Sequence, residues 1–338
     1  MLPHDLLYKQ TTVGGLSGID YDPVTKTWYL ICDNSSNGQA ARFYTAKIEL
    51  SEDKIQRVTL SGIKTLKQQK GVVKSTAQHK TSDPEAIRYH SINKTLVWSS
   101  EGQRVVNDSV TRLIDPTIQF MSKNGKYLDS IPLPDNLRMK ITESGPRQNG
   151  VLEGLTFDDN FKSLYASLEE PLYQDGPRAD LVRNNAFVRI YKFDMISHKN
   201  TAQFAYELEP IPFPLVKTEG SMNNGISDLM SIGQQRFLVI ERAYSAGRVG
   251  ANIKIFIAEL AGADNIIELP SLRKTPVKNP VKKTLLLNMD EAGIFVDNVE
   301  GATIGPVLPN GHQTLMFVTD NNFSAKEQTQ FLLFEVIP

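Results

Sequence analysis

Five segments of this chain can be superposed: LSGIDYD (Leu16–Asp22), PEAIRYH (Pro84–His90), LEGLTFD (Leu152–Asp158), NGISDLM (Asn224–Met230) and VEGATIG (Val299–Gly305). Placing Gly18, Ala86, Gly154, Gly225 and Gly301 in register gives spacings of 68, 68, 71 and 76 residues. Repetition constrains the fold more than any single motif, because each unit buries its apolar faces only against neighbours of the same kind. After each small residue come a short apolar strand, a polar turn and a second strand: TWYLICD, TLVWSSE, SLYASLE, RFLVIE and TLMFVTD. Third strands follow as ARFYTAKIEL, PTIQFMSK, AFVRIYKFD, NIKIFIAEL and TQFLLFEVI, and weaker fourth strands as Gln203–Leu208 and Lys283–Asn288. Their β-branched and aromatic content reads as strand, and no helix-periodic stretch competes.

Meanders of about 70 residues joined by Gly, Asn, Asp and Pro turns fit a radial β-propeller better than a sandwich. The expectation is an all-β chain, one propeller domain over 1–338, with five blades counted from the repeat. The chain ends after a third strand, so Leu6–Val13 is expected to close the last blade and cover its edge. Six blades remain the alternative, with the Lys-rich segments Ser61–Ser82 and Gly262–Lys283 as the places for a degenerate unit; otherwise both are solvated loops. Trp28, Trp98 and Cys32 fall inside second strands and read as core.

Every second strand ends on an acid, at Asp33, Glu101, Glu169, Glu241 and Asp320, with offsets of 15, 15, 15, 16 and 19 residues from the aligned small residue. Ser17, Glu85, Glu153, Asn224 and Glu300 stand immediately before that residue. Antiparallel neighbours put the start of strand one and the end of strand two at the same edge. Two sets of oxygen-bearing side chains therefore converge on one face, joined by Asn34, Glu170, Asn321 and Asn322. Clustered carboxylates call for a positive partner: at an effective dielectric near 20, two unit charges 5 Å apart repel by about 3 kcal/mol. All-oxygen donors without clustered Cys or His favour Ca²⁺. Arg42, Arg147 and Arg242 lie near the same loop ends and are the other source of positive charge. A third reading is architectural: a Glu on each inner strand binds neighbouring backbone amides and locks the blades together. Gly18, Gly154, Gly225 and Gly301 read as sites of close strand packing.

With 37 Lys and Arg against 38 Asp and Glu, the net charge of -1 supplies no field for nonspecific nucleic-acid binding. One cysteine excludes an internal disulfide, and five scattered histidines form no zinc box. No apolar run approaches the roughly 18 residues of a spanning helix. GxSxG is absent. No protein partner is inferred.

The segments SDPEAI (Ser82–Ile87), RQNGVLEGLTFD (Arg147–Asp158), LEEPL (Leu168–Leu172), VRIYKFD, GISDL, FLVIERAY (Phe237–Tyr244), DNVEGATIGPVLPNGHQTLMFVTDNNF (Asp297–Phe323) and TQFLLFEV occur in this order across nearly the whole chain. In them the sequence resembles the phytase-like family described as "esterase-like activity of phytase". That resemblance implies a propeller related to calcium-dependent phytases, which hydrolyse phosphomonoesters and are six-bladed. It also implies export, to the periplasm or outside the cell, with a cytoplasmic location as the alternative. The function expected is a metal-dependent phosphoesterase or related esterase acting on a small anionic ester. Glu85, Glu153, Glu300, Glu101 and Asp33 would hold Ca²⁺; Glu169, Glu241 and Asp320 would be catalytic; Arg42, Arg147, Arg242 and Asn321 would bind substrate. The alternatives are a carboxylate-based glycoside hydrolase and a noncatalytic calcium- or ligand-binding propeller.

Overall fold

In this computed structural model, residues 1–33, 39–51, 54–68, 71–72, 83–216 and 220–337 are described. They form five antiparallel meanders and no α-helix, with two 3-10 turns at Asp135–Leu137 and Met289–Glu291. Sheet one is Leu16–Asp22, Thr27–Cys32, Arg42–Leu50 and Ile55–Thr65; sheet two is Pro84–His90, Thr95–Ser100, Thr117–Ser122 and Tyr127–Ile131. Sheet three is Leu152–Phe157, Ser163–Leu168, Phe187–Asp194 and Asn200–Glu207; sheet four is Met222–Ser231, Arg236–Ser245, Asn252–Glu259 and Lys282–Asn288. Sheet five has three strands, Asn298–Val307, Gln313–Asp320 and Phe331–Val336. The chain is all-β and carries the five blades of a β-propeller. Residues 262–281 contain no strand, so this place for a sixth blade is a loop. In the other, residues 61–65 complete sheet one and Lys67–Gln68 pairs with Gly71–Val72. The remainder of that segment lies outside the described residues. No helix among them is long and apolar enough to cross a membrane.

The chain divides into two compact units, Met1–Trp98 with Gln119–Asp129 and Asp297–Pro338, and Ser99–Ile118 with Ser130–Val296. In unit one the strand Thr27–Cys32 shows why its sequence is apolar throughout. Trp28, Leu30 and Cys32 pack with Met316 and Val318 of sheet five, whereas Tyr29 and Ile31 pack with Ile87 and Tyr89. Side chains alternate between faces, and both faces are covered. The first strands approach closely enough to require glycine. A Cβ at Gly18 would stand 2.7 Å from the carbonyl oxygen of Glu85, and one at Gly301 would stand 2.9 Å from Gly18 Cα. Asp20 joins the same strands by accepting from Tyr89 N–H (2.5 Å) and Thr303 Oγ1 (2.6 Å).

The N-terminal segment takes a different form from the closing strand expected of it. Leu7–Tyr8 pairs with Thr11–Thr12 across Lys9 and Gln10, both at positive φ (48° and 66°). That is the two-residue geometry of a tight hairpin, which folds the segment back before it can run beside Phe331–Val336. It joins the C-terminal region through an antiparallel bridge, Leu2 to Thr329, with Leu2 and Leu6 packed on the cluster that holds Val318 and Phe331.

In unit two the loop 260–281 is pinned to sheet three. Ile266 and Leu272 pack against Ala205, and fully buried Arg189 donates to both oxygens of Asp175 (2.6 and 2.8 Å) and to Leu269 O (2.8 Å). A hairpin of Gln103–Val106 with Thr111–Ile114, absent from the repeat, is inserted after the second strand of sheet two.

First strands share an irregularity that bears on the site. The register slips between Leu16 and Gly18, Leu152 and Gly154, Ile226 and Asp228, and Val299 and Gly301. Ser17, Glu153, Ser227 and Glu300 are thus the extra residues of β-bulges, a device that re-aims a side chain at a sheet's rim. In sheet four the bulge shifts the repeat by three residues. Ser227 and Asp228, rather than Asn224 and Gly225, correspond to Glu153 and Gly154. The counterpart of Glu169 and Asp320 is consequently Arg242, and Glu241 corresponds to Leu168 and Thr319.

Candidate functional site

Unit one gathers three acids. Asp33 follows the second strand of sheet one, and Asp83 and Glu85 flank Pro84 at the start of sheet two. Residues two apart on an extended chain project to the same side, which brings Asp83 and Glu85 together. One carboxylate oxygen from each of Asp33, Asp83 and Glu85 lies within 4.8 Å of the others, and Asp83 and Glu85 are buried. Oxygens at such separations can share one ion at the Ca²⁺–oxygen distance of about 2.3 to 2.6 Å, and an all-carboxylate set suits that hard cation. The residues present therefore fit calcium. Ser17, the bulge residue of sheet one, donates to the backbone oxygens of Pro84 (3.0 Å) and Glu85 (2.8 Å), fixing the backbone that carries the two acids.

The other expected residues of unit one have local partners. Asp320 is buried, and its Oδ1 accepts from Asn322 N–H at 2.8 Å. Asn321 Oδ1 accepts from the amides of Gly15 (3.2 Å) and Phe323 (3.1 Å), so this side chain closes the loop against Gly14–Gly15. Glu300 accepts from Asn298 Nδ2 at 2.9 Å. Arg42 is buried and donates to Tyr44 Oη (2.7 Å), Thr12 O (2.8 Å) and Ala40 O (3.2 Å), tying the N-terminal hairpin to sheet one. Cys32 is a buried core thiol whose pKa burial pushes far up, with Arg42 opposing and Asp33 and Asp320 adding to the rise. Asn34 lies outside the described residues.

Unit two carries a second acidic group. Glu101 and Glu153 place carboxylate oxygens within 4.8 Å of each other, and Glu101 Oε1 accepts from Val151 N–H at 2.6 Å. Glu169 and Glu170, both buried, each hold an arginine. Arg242 donates to Glu169 Oε1 at 2.8 Å, and Arg178 Nε donates to both oxygens of Glu170 at 2.8 and 2.7 Å. Two glycines make room for them: a Cβ at Gly225 would stand 2.5 Å from Glu169 Cγ, and one at Gly150 would stand 2.7 Å from Glu170 Oε2. Burial raises the Glu169 carboxyl to about 6, with Arg242 opposing and Glu170 adding to the rise. Burial raises Glu170 as well, against the pull of Arg178. Arg147 has its pKa lowered by burial and by neighbouring Arg178. It donates to Pro171 O and Gly176 O, both at 2.9 Å, and lies 4.3 Å over the Tyr173 ring.

Glu241 occupies a different environment from Glu169. It accepts from Tyr206 Oη (2.7 Å), Lys283 Nζ (2.5 Å), Asn224 Nδ2 (2.8 Å) and Glu209 N–H (2.9 Å). The three-residue shift in sheet four explains this placement, because Glu241 sits on the strand face that packs against sheet three.

Asp83, Arg178 and Ser227 were not singled out by the repeat. Asp83 precedes the aligned segment, yet the spacing Asp83-Pro84-Glu85 signals two acids on one strand face. Arg178 lies in a loop with no repeat counterpart.

Five meanders, four of whose second strands end at an acid, define a β-propeller with acidic sites at its strand ends. Over residues 11–323 the chain matches the phytase-like family model, described as esterase-like activity of phytase, and it belongs to that family. No curated protein matches the chain. Among solved structures it is similar to a GH43 β-1,3-galactosidase with galactodeoxynojirimycin, at 10% identity, 96% of this chain, 91% of that one and a TM-score of 0.50. It is also similar to an endo-arabinase from Bacteroides thetaiotaomicron VPI-5482, at 12% identity, 96% and 95% coverage and a TM-score of 0.48. These likenesses concern the fold alone.

Proposed function

We propose that this chain is a calcium-dependent hydrolase of small anionic esters, phosphomonoesters foremost. The observation that carries the reading is the Asp33–Asp83–Glu85 group, three carboxylates within 4.8 Å, in a member of the phytase-like family. In this reading the three acids hold the cation, with Ser17 keeping the Asp83–Glu85 backbone in place. When bound, the ion would neutralise substrate charge and acidify water. In unit two, Glu169 is the group suited to exchanging a proton near neutral pH, because burial raises its carboxyl. Arg242 orients it, and Arg147 and Arg178 supply positive charge for an anionic substrate. Export follows from the same family reading.

Phosphate release from phytate and from aryl phosphates, and hydrolysis of aryl carboxylic esters, should be followed with millimolar calcium and again after EDTA. Turnover that requires calcium and disappears in Asp33→Asn and Glu85→Gln supports the proposal. Turnover indifferent to EDTA refutes it. Calcium binding without turnover on any of these esters would make the chain a noncatalytic calcium-binding propeller.

A further inference from the structure

Arg147 takes its aim from a loop that is itself anchored from behind, and every residue concerned belongs to unit two. From its place before the first strand of sheet three, Arg147 donates through Nε to Pro171 O and through Nη2 to Gly176 O, with its guanidinium over the Tyr173 ring. A guanidinium is a rigid plane with five N–H donors. Committing the Nε–Nη2 edge to two carbonyls therefore directs Nη1 away from the loop. Where it projects is set by the position of residues 171–176.

That position is held by sheet three and by loop 260–281. Asp175, the residue before Gly176, accepts from Nε and Nη2 of fully buried Arg189 (2.6 and 2.8 Å) and from Leu272 N–H (3.0 Å). Gln174 O accepts from Ser271 Oγ at 2.5 Å, and Arg189 Nη2 also donates to Leu269 O at 2.8 Å. On the other side, Gln174 Oε1 accepts from Gly145 N–H (2.8 Å) and Tyr173 N–H donates to Gly145 O (3.1 Å), which ties the loop to the segment leading into Arg147. In sheets one, two and three the last two strands are joined by residues 51–54, 123–126 and 195–199, whereas sheet four uses residues 260–281. Closing a meander needs only a short turn. The extra length supplies contacts, and among them are those to Gln174, Asp175 and Arg189.

We propose that Asp175 and Ser271 are positioning residues for Arg147, so that loop 260–281 governs how tightly the site grips the anionic group of its substrate. Both act through the carbonyls of residues 171–176. Such a role rests on Arg147 meeting that group, as in the hydrolase reading.

The test compares the full-length wild type with Ser271→Ala, Ser271→Thr, and Asp175→Asn combined with Arg189→Met, which removes the buried pair without leaving one charge alone. Thermal midpoints confirm folding. Kinetics on 4-nitrophenyl phosphate and on uncharged 4-nitrophenyl acetate are measured with millimolar calcium, and sulfate binding by calorimetry. Ser271→Ala should raise KM for the phosphate and Kd for sulfate about threefold, and the double variant about tenfold, with kcat within about twofold and the acetate kinetics unchanged. Ser271→Thr returns the hydroxyl and should restore the wild-type constants. A loss equal on the charged and uncharged esters, or constants unchanged in both Ser271→Ala and the double variant, overturns the proposal. If Arg147→Gln abolishes sulfate binding while those variants are silent, this proposal alone fails. A wild type that binds no sulfate, or an Arg147→Gln variant that binds it unchanged, refutes the anion role of Arg147 and this proposal with it.

Discussion

Replacing Asp83 by Asn should change the sign of its effect on stability with calcium. Ionised oxygens of Asp33, Asp83 and Glu85 within 4.8 Å repel by about 3.5 kcal/mol per pair at an effective dielectric near 20. Asn at position 83 removes two of the three pairs. Local donors offset much of this, so in EDTA the variant should gain about 1 to 3 kcal/mol, a bound set by screening rather than by the full pair energies. For 338 residues the unfolding entropy is about 0.7 kcal/mol/K, which converts that gain into roughly 1.5 to 4 °C of Tm. With calcium at about 100 times Kd, the wild type should gain about 2.7 kcal/mol, or about 4 °C. The variant should lose most of that increment, because one of its three anionic ligands is gone. Thermal melts of wild type and variant in EDTA and in a calcium series measure both effects. If Asp83→Asn melts lower in EDTA and keeps the calcium increment, the three acids form a hydrogen-bonded plug and the metal argument fails.

Asp22 is buried, which raises its pKa, yet the Lys123 ammonium at 2.7 Å and Thr25 donors hold it down at about 2. Its ion pair contributes stability above the unfolded value near 4 and loses it as pH falls towards 2; Lys123→Met leaves the Thr25 donors in place and should remove about 1 kcal/mol of that pH-dependent stability in urea unfolding across this range. Glu169 behaves in the opposite sense: its raised carboxyl binds more protons folded than unfolded, so stability should fall as pH rises from about 4.5 to about 6. Glu169→Gln should flatten that part of the urea-midpoint profile, and an unchanged slope would refute the assignment. Gly154→Ala places a Cβ 2.5 Å from Leu229 Cδ2 and 2.7 Å from Leu229 N, and the overpacking should cost about 1 to 3 kcal/mol by the same assay.

The repeat made the architecture legible because a propeller blade buries both faces of its inner strands, which writes apolar runs such as TWYLIC at regular intervals. The acids were legible because they end those runs. Other features left weaker signals. Lys9 and Gln10 adopt positive φ without the Gly or Asn that would mark a hairpin turn. In sheet four the glycine identity at Gly225 drew the alignment three residues early, whereas the bulge there carries Asp228 where sheets one, three and five carry glycine. A register error of this kind changes chemistry as well as numbering. It exchanges Glu241, committed to Lys283 and Tyr206, for Arg242, which pairs with Glu169.

Repetition alone does not distinguish a functional acid from an architectural one, and the bulges show why. Gly18, Gly154 and Gly301 each lie against a neighbouring backbone or inner-strand side chain, so glycine there is demanded by packing. The residue before each glycine is the extra residue of the bulge, and an oxygen there can bond the next strand, as Ser17 does with Pro84 O and Glu85 O. An architectural role is therefore satisfied by serine. Asp83 belongs to no repeat position, yet it adds a third carboxylate to Asp33 and Glu85, which locking blades together does not require. Three carboxylates brought together in this way are a donor set that a hard cation can share, and the departure from the repeat carries the functional argument.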